Sequence, residues 1–309
     1  MNIKILYHIM PWEIDYALLT FTQLKKSKYY LQDDVNITIN SVLNLSSYLI
    51  DWEKSEISKD FFIKKYNYLS NLLIDYNHIN EVYDGNQLYG HLDLQKNSID
   101  PIIDYYMYIN PDIYFSEYLL TYMFESIKQI PNKYFVVTPQ ISKFWDNSWD
   151  IITNPLYLNR KNEDWNKTDI FDIIHNNQSS DKEVTFSPLP TTKFAGWCDI
   201  YNKAFFEELC PTLPEWSGYG GWDTYSLTIS NYVKQLGTDI QQYIIQGETV
   251  FEYSVGPLYG KNRDGFTSYY KDMLVLKDSN ANNQRQNFDD NINKYINITL
   301  SNLKEKKVI

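Results

Sequence analysis

Two aspartates stand at breaks in an otherwise regular pattern. In Asp104–Phe115, DYYMYINPDIYF, a tyrosine- and isoleucine-rich run gives way to Asn110-Pro111-Asp112 before aromatic residues resume. In GYGGWDTYSL, Asp223 follows a glycine-rich loop that enters a helical pattern. A carboxylate at such a break can hold a hard divalent cation or accept a proton from a hydroxyl. Each also has a purely structural reading. Proline and an acid suit the first turn of a helix beginning at Ile113, and aspartate is among the best helix caps.

The elements around these residues decide where they can act. Ile3–Ile9 reads as a strand that ends at Pro11-Trp12-Glu13, and Tyr16–Tyr30 has helical apolar spacing. Val35–Leu45 is a second strand, Asp60–Tyr76 a helix, and HINEVYDG a short third strand ending at Gly85. Leu88–Ile99 has a helical pattern that Pro101 stops. Tyr105–Ile109 is a fourth strand, Ile113–Gln129 a further helical pattern, and KYFVVTPQI a strand apolar enough to be covered on both faces. This alternation predicts an α/β domain with a mainly parallel sheet flanked by helices, a helical insertion at about 47–78 and a C-terminal helix. Ligands of such sheets bind at the carboxyl ends of strands, where Asn110 and Asp112 fall.

Past Trp145 the pattern weakens. Residues 154–190 are polar and read as a flap, KFAGWCDIYNKAFFEEL as a strand or turn entering a helix, and QYIIQGETVFEYS as a late strand. Tyr259–Asp264 and Asn280–Asn287 read as mobile, and Asp289–Lys304 as helical. The main domain is expected over 1–265, with 266–309 as an extension.

The 309 residues can bury a full core, and 43% apolar and 22% charged residues are ordinary globular values. No apolar run is long enough to span a bilayer, which leaves peripheral membrane contact open. The N-terminus lacks the zones of a signal peptide, so a cytoplasmic protein is expected. Cys198 and Cys210 are the only cysteines and have no zinc or disulfide spacing. A net charge of −11 opposes non-specific nucleic-acid binding. The 28 tyrosines and 8 tryptophans offer rings that can stack on sugars or bases, although abundant Asn, Ile, Lys and Tyr also follow from an AT-rich genome. There is no Gly-rich Lys-Ser/Thr loop, no dinucleotide fingerprint and no nucleophile elbow.

In their order, five stretches resemble the nucleotide-sugar glycosyltransferases of the A-type (GT-A) fold, particularly the inverting family 2. They are ILYHIMPWE, LQKNSIDPII, YYMYINPD, KFAGWCDIYNKAFFEEL and GYGGWDTYSL, spread over roughly the first 255 residues. The resemblance implies a nucleotide-sugar donor held by Pro11, Glu13, Lys96, Asn97, Asn110 and Asp112. It implies a glycan or glycolipid acceptor near Gly196, Trp197, Gly221 and Trp222, with Asp223 as general base. Mn²⁺ or Mg²⁺ would be held by Asp112, with Glu252 where some members place a histidine. Asn110 stands in place of the family's first aspartate, and Trp222 in place of a common acid. The stereochemical outcome is not fixed by the fold. A sugar-phosphate nucleotidyltransferase, or a catalytically inactive glycan-binding protein of the same fold, are the competing expectations. His8, His78, His91 and His175 show no ligand spacing and are assigned no chemistry.

Overall fold

The computed structural model describes residues 1–87, 89–142, 147–155, 185–190, 198–209, 222–252, 270 and 272–309. The strands are β1 (Asn2–Ile9), β2 (Asn36–Asn44), β3 (Asn77–Tyr83), β4 (Tyr105–Ile109), β5 (Ile113–Tyr114), β6 (Tyr134–Ile141), β7 (Thr185–Pro188), β8 (Cys198–Asn202) and β9 (Ile240–Glu252). Among the described residues they form one sheet in the order β3-β2-β1-β4-β8-β6-β9-β5, with β7 also pairing β9. β1 to β4, β6 and β9 run in one direction, and β5, β7 and β8 oppose them. The expected mainly parallel α/β sheet is therefore borne out, with an antiparallel strand inserted between β4 and β6.

Alternation along the strands builds two cores. Ile3, Ile5, Tyr7 and Ile9 of β1 face α1 (Ile14–Ser27), α2 (Lys59–Ser70) and α4 (Leu119–Ile127). Leu6 of β1, with Tyr106 and Tyr108 of β4, faces α3 (His91–Ser98), α5 (Trp222–Gln235) and α6 (Asp278–Glu305). Parallel strands need crossovers, and α1 and α2 supply the first two. Each fully buried Leu, Ile or Phe side chain contributes about 1.5–3 kcal/mol, so both layers hold the sheet. Among the described residues no helix is long and apolar enough to cross a membrane.

Two expectations are corrected. The Ile113–Gln129 stretch is not one helix: Ile113–Tyr114 pairs antiparallel with Phe251 and Glu252 of β9, and α4 starts only at Leu119. Ile113 and Phe115 are buried against the first core, and tertiary pairing of this β-branched and aromatic run overrides its helical spacing. The second correction concerns Asn280–Asn287, which lies inside the 28-residue α6. Asparagine disfavours helix, but this end is tied down: Lys277 Nζ donates to the Ser47 carbonyl at 2.7 Å and Asn280 Nδ2 to the Tyr48 carbonyl at 2.8 Å. Ile296 and Leu303 then pack the distal turns onto the second core. Tyr259–Asp264 and most of 154–190 lie outside the described residues.

Candidate functional site at the carboxyl edge of the sheet

Four of the parallel strands, β1, β2, β4 and β9, deliver short turns or termini to one edge. β1 ends in Met10–Glu13, a single 3-10 turn entering α1. There the Glu13 carboxylate accepts the Met10 backbone N–H at 2.9 Å, and Pro11 is buried. Glu13 thus shapes the loop it was expected to serve from. Asp15, two residues on, forms an ion pair with Lys65 of α2, and the Lys65 ammonium also reaches the Tyr270 hydroxyl at 2.5 Å.

β4 ends in Asn110-Pro111-Asp112. Asn110 is half-buried and Asp112 only 8% exposed. Thr20 of α1 donates to the Pro111 carbonyl at 2.7 Å, and Gln23 to the Phe115 carbonyl at 2.8 Å, so α1 clamps this turn from below. Because the chain continues as extended β5, Asp112 does not open a helix at Ile113. Its helix-start reading therefore fails, and Asp112 is a buried carboxylate at the end of a strand.

β9 reaches the same place through an irregularity. Its register with β6 slips between Pro139 and Gln140, and Gly247 (φ 97°) adopts a left-handed conformation there. The neighbouring Glu248, 3% exposed, accepts a hydrogen bond from Ser116 Oγ at 2.6 Å. Past the bulge, Glu252 pairs in register with Ile113, one residue from Asp112. Asp112 and Glu252, 140 positions apart in sequence, therefore meet at one edge of the backbone. Among the described residues no three His, Cys, Asp or Glu side chains gather as a metal cluster. A divalent cation needs only one or two carboxylates when phosphates complete its shell, and the buried Asp112 is compatible with that role.

α5 closes with Gly237 at φ +90°, the left-handed residue expected there, and Asp239 leads into the amino end of β9. The helix packs on β9 through the second core, where Ile229 and Val233 are buried. It therefore runs back along the sheet, and its first turn, with Trp222 and Asp223, is at the carboxyl-edge end. Asp223 is the second residue of the helix, within a turn rather than before it. Gly196, Trp197 and Gly221 lie outside the described residues.

Of the other two residues expected to hold the donor, Lys96 and Asn97, the Asn97 side chain lies against that of Tyr89, which stacks on His8 of β1. Lys96 and Asn97 sit in the last turn of α3, and Ser98 beside them accepts Lys4 Nζ through its carbonyl at 2.9 Å, near the amino end of β1.

A polar cluster that no motif announces lies on the second face of the sheet. His8 of β1 lies 5.0 Å from His91 of α3 between ring centroids and stacks on Tyr89 at 6.0 Å. Asn44 Nδ2 donates to the Tyr89 carbonyl at 2.8 Å and lies 3.1 Å from His8 Nε2. On β8 the fully buried Asp199 accepts hydrogen bonds from Thr138 (3.0 Å) and Tyr201 (3.2 Å). Alternation would have put His8 on the same face as Leu6, but nothing local to residue 91 says that the two histidines meet. Beside Asp199, burial pushes the Cys198 thiol up, so this free thiol stays protonated. Cys210 lies outside the described residues.

Desolvation, aided by the neighbouring His91, pulls His8 down to about 3, and desolvation pulls His91 down to about 4, from 6.5. Both rings are neutral at pH 7. Since the unfolded chain binds protons that the folded one refuses, their contribution to stability is full above pH 6.5 and is lost as pH falls from there towards 4 and 3. The melting temperature is expected to drop across this window, and less steeply in His8→Gln. Parallel slopes for the wild type and the variant would exclude His8 as a source of the acid sensitivity.

No family model and no curated protein matches the chain. Among solved structures it is similar to the crystal structure of S. aureus TarS 1–349 in complex with UDP-GlcNAc (13% identity, TM-score 0.44, 79% of this chain and 58% of that one). It is also similar to GalNAc-T7 with UDP, GalNAc and Mn²⁺ (12% identity, TM-score 0.44, 82% of this chain and 44% of that one). The chain thus spans less than two thirds of either protein. Similarity of this size defines neither a family nor a site.

Proposed function

We propose that the chain transfers a sugar from a nucleoside-diphosphate sugar to a carbohydrate-type acceptor, by a single displacement that inverts the anomeric centre. The observation that carries this reading is the position of Asp112. It is a buried carboxylate at the end of a central parallel strand, in an extended turn that gives it no helix to start. Glu252 of β9 stands one residue away in the pairing register, and the first turn of α5 is at the same edge.

The division of labour follows from the reaction. Breaking the bond between sugar and diphosphate builds negative charge on the departing phosphates, which a bound Mn²⁺ or Mg²⁺ would neutralise. Asp112, and Glu252 beside it, are the residues that would hold the ion. The Met10–Glu13 turn, stiffened by the Glu13 carboxylate, offers a rigid wall for the nucleoside. Asp223 takes the proton of the attacking hydroxyl, from a helix on the opposite face of the sheet to α1. The acidic surface of a chain with net charge −11 makes a cation the natural partner for a diphosphate.

Asn110, where a second acid would strengthen the cation site, favours one other reading: a glycan-binding protein that has lost catalysis. Calorimetric titration with nucleoside diphosphates, with and without Mn²⁺ or Mg²⁺, tests the proposal, because metal-dependent binding requires the diphosphate site.

A further inference from the structure

Among the described residues β3 ends the sheet on one side, with no strand paired to its outer edge, and that edge has a regular hydrogen-bonding pattern. The Tyr83 carbonyl accepts the Leu45 N–H at 2.8 Å, so the backbone groups of Tyr83 point to β2. Successive residues of a strand point their backbone groups to alternate sides. Glu81, Ile79 and Asn77 therefore also face β2, while His78, Asn80 and Val82 direct N–H and C=O away from the sheet. All residues from 79 to 82 are exposed, with Ile79 at 42% and Val82 at 39%.

Sheet edges are normally blunted by lysine, proline, a bulge or a covering element. β3, NHINEVY, has neither lysine nor proline, and its register with β2 is unbroken over seven residues. Ile74, three residues before the strand, is 75% exposed.

We propose that this edge pairs with the same edge of a second copy of the chain, antiparallel, about a two-fold axis through Asn80. Asn80 is the middle one of the three outward-facing residues, so this register uses them all. The two Asn80 residues exchange a pair of N–H···O bonds, and each His78 exchanges another pair with Val82 of the second copy. Side chains match as well. Glu81 falls opposite Ile79 rather than another acid, and Val82 falls opposite His78, whose ring is already held inward by Ser41 Oγ at 2.7 Å. No like charges stand directly opposite; the two Glu81 side chains, both exposed, are diagonal neighbours on one face, where solvent screens them. Such an interface is isologous and closes on itself as a dimer.

Sedimentation velocity over a concentration series, up to on the order of 100 μM, reads the association, whose strength falls in the range set by interface quality. The wild type is expected to shift from monomer to dimer. Asn80→Pro removes an outward N–H without breaking a bond to β2, a position where edge strands accept proline. It is expected to stay monomeric with an unchanged circular dichroism spectrum. Asn80→Cys tests the register, since hydrogen-bonded pairs bring Cα atoms to about 5.5 Å, within disulfide range. Under oxidising conditions it is expected to form a covalent dimer that the wild type does not. A wild type monomeric throughout, a dimer that a folded Asn80→Pro leaves intact, or a dimer that Asn80→Cys fails to cross-link overturns the proposal.

Discussion

Asp223→Asn is expected to lower the turnover of a nucleotide sugar by about 10²–10⁴-fold, the usual contribution of a positioned general base. The same substitution should leave the melting temperature and the affinity for nucleoside diphosphate near those of the wild type. In the first turn of a helix the charge of an aspartate contributes only about 0.3–1 kcal/mol, and α5 is secured elsewhere, by Ile229 and Val233 in the second core and by Gly237 at its end. The structural and chemical roles of Asp223 therefore separate in one variant. Turnover close to wild type in a normally folded Asp223→Asn would reduce the residue to a helix-start role and leave the inverting mechanism without its base.

The second large effect is expected at the other side of the site. Asp112→Asn keeps the size of a side chain that is 8% exposed and preserves the turn clamped by Thr20. The fold should survive. Changes behind a metal ligand already cost about 10–100-fold in metal affinity, so loss of a ligand carboxylate is expected to weaken Mn²⁺-dependent nucleoside diphosphate binding at least that much. Metal-independent binding should change far less. If the dependence on Mn²⁺ is the same in Asp112→Asn and wild type, Asp112 does not hold the ion.

The parts of this arrangement legible in the sequence are those set by local chemistry. The limits of β4 follow from its continuous aromatic and apolar run and the proline after it, and the end of α5 from Gly237. The parts that were not legible come from pairing between distant segments. Ile113–Phe115 has helical spacing on paper, yet β9 offers backbone partners that a helix cannot use, and the segment becomes a strand. That change is also what removes the helix-start role from Asp112. The asparagines at 280–287 read as loop because their intrinsic preference is weak, while anchors at Ser47 and Tyr48 lie more than 230 positions away. The same holds for His8 and His91, and for the antiparallel entry of β8 beside β4. Motif order points to Lys96 and Asn97, and only the structure places them in the last turn of α3, with Asn97 against Tyr89 and the next residue, Ser98, bonded to Lys4.

The central claim is a site for a nucleoside diphosphate at the carboxyl edge, made with the help of a divalent cation. Isothermal titration of the wild-type chain with uridine, guanosine, cytidine, adenosine and thymidine diphosphates, each with Mn²⁺, with Mg²⁺ and with a chelator, tests it most directly. Saturable binding of at least one of the five in the presence of metal, weakened by the chelator, is the predicted result. Absence of binding by every nucleotide, with and without metal, in a chain shown to be folded would contradict it.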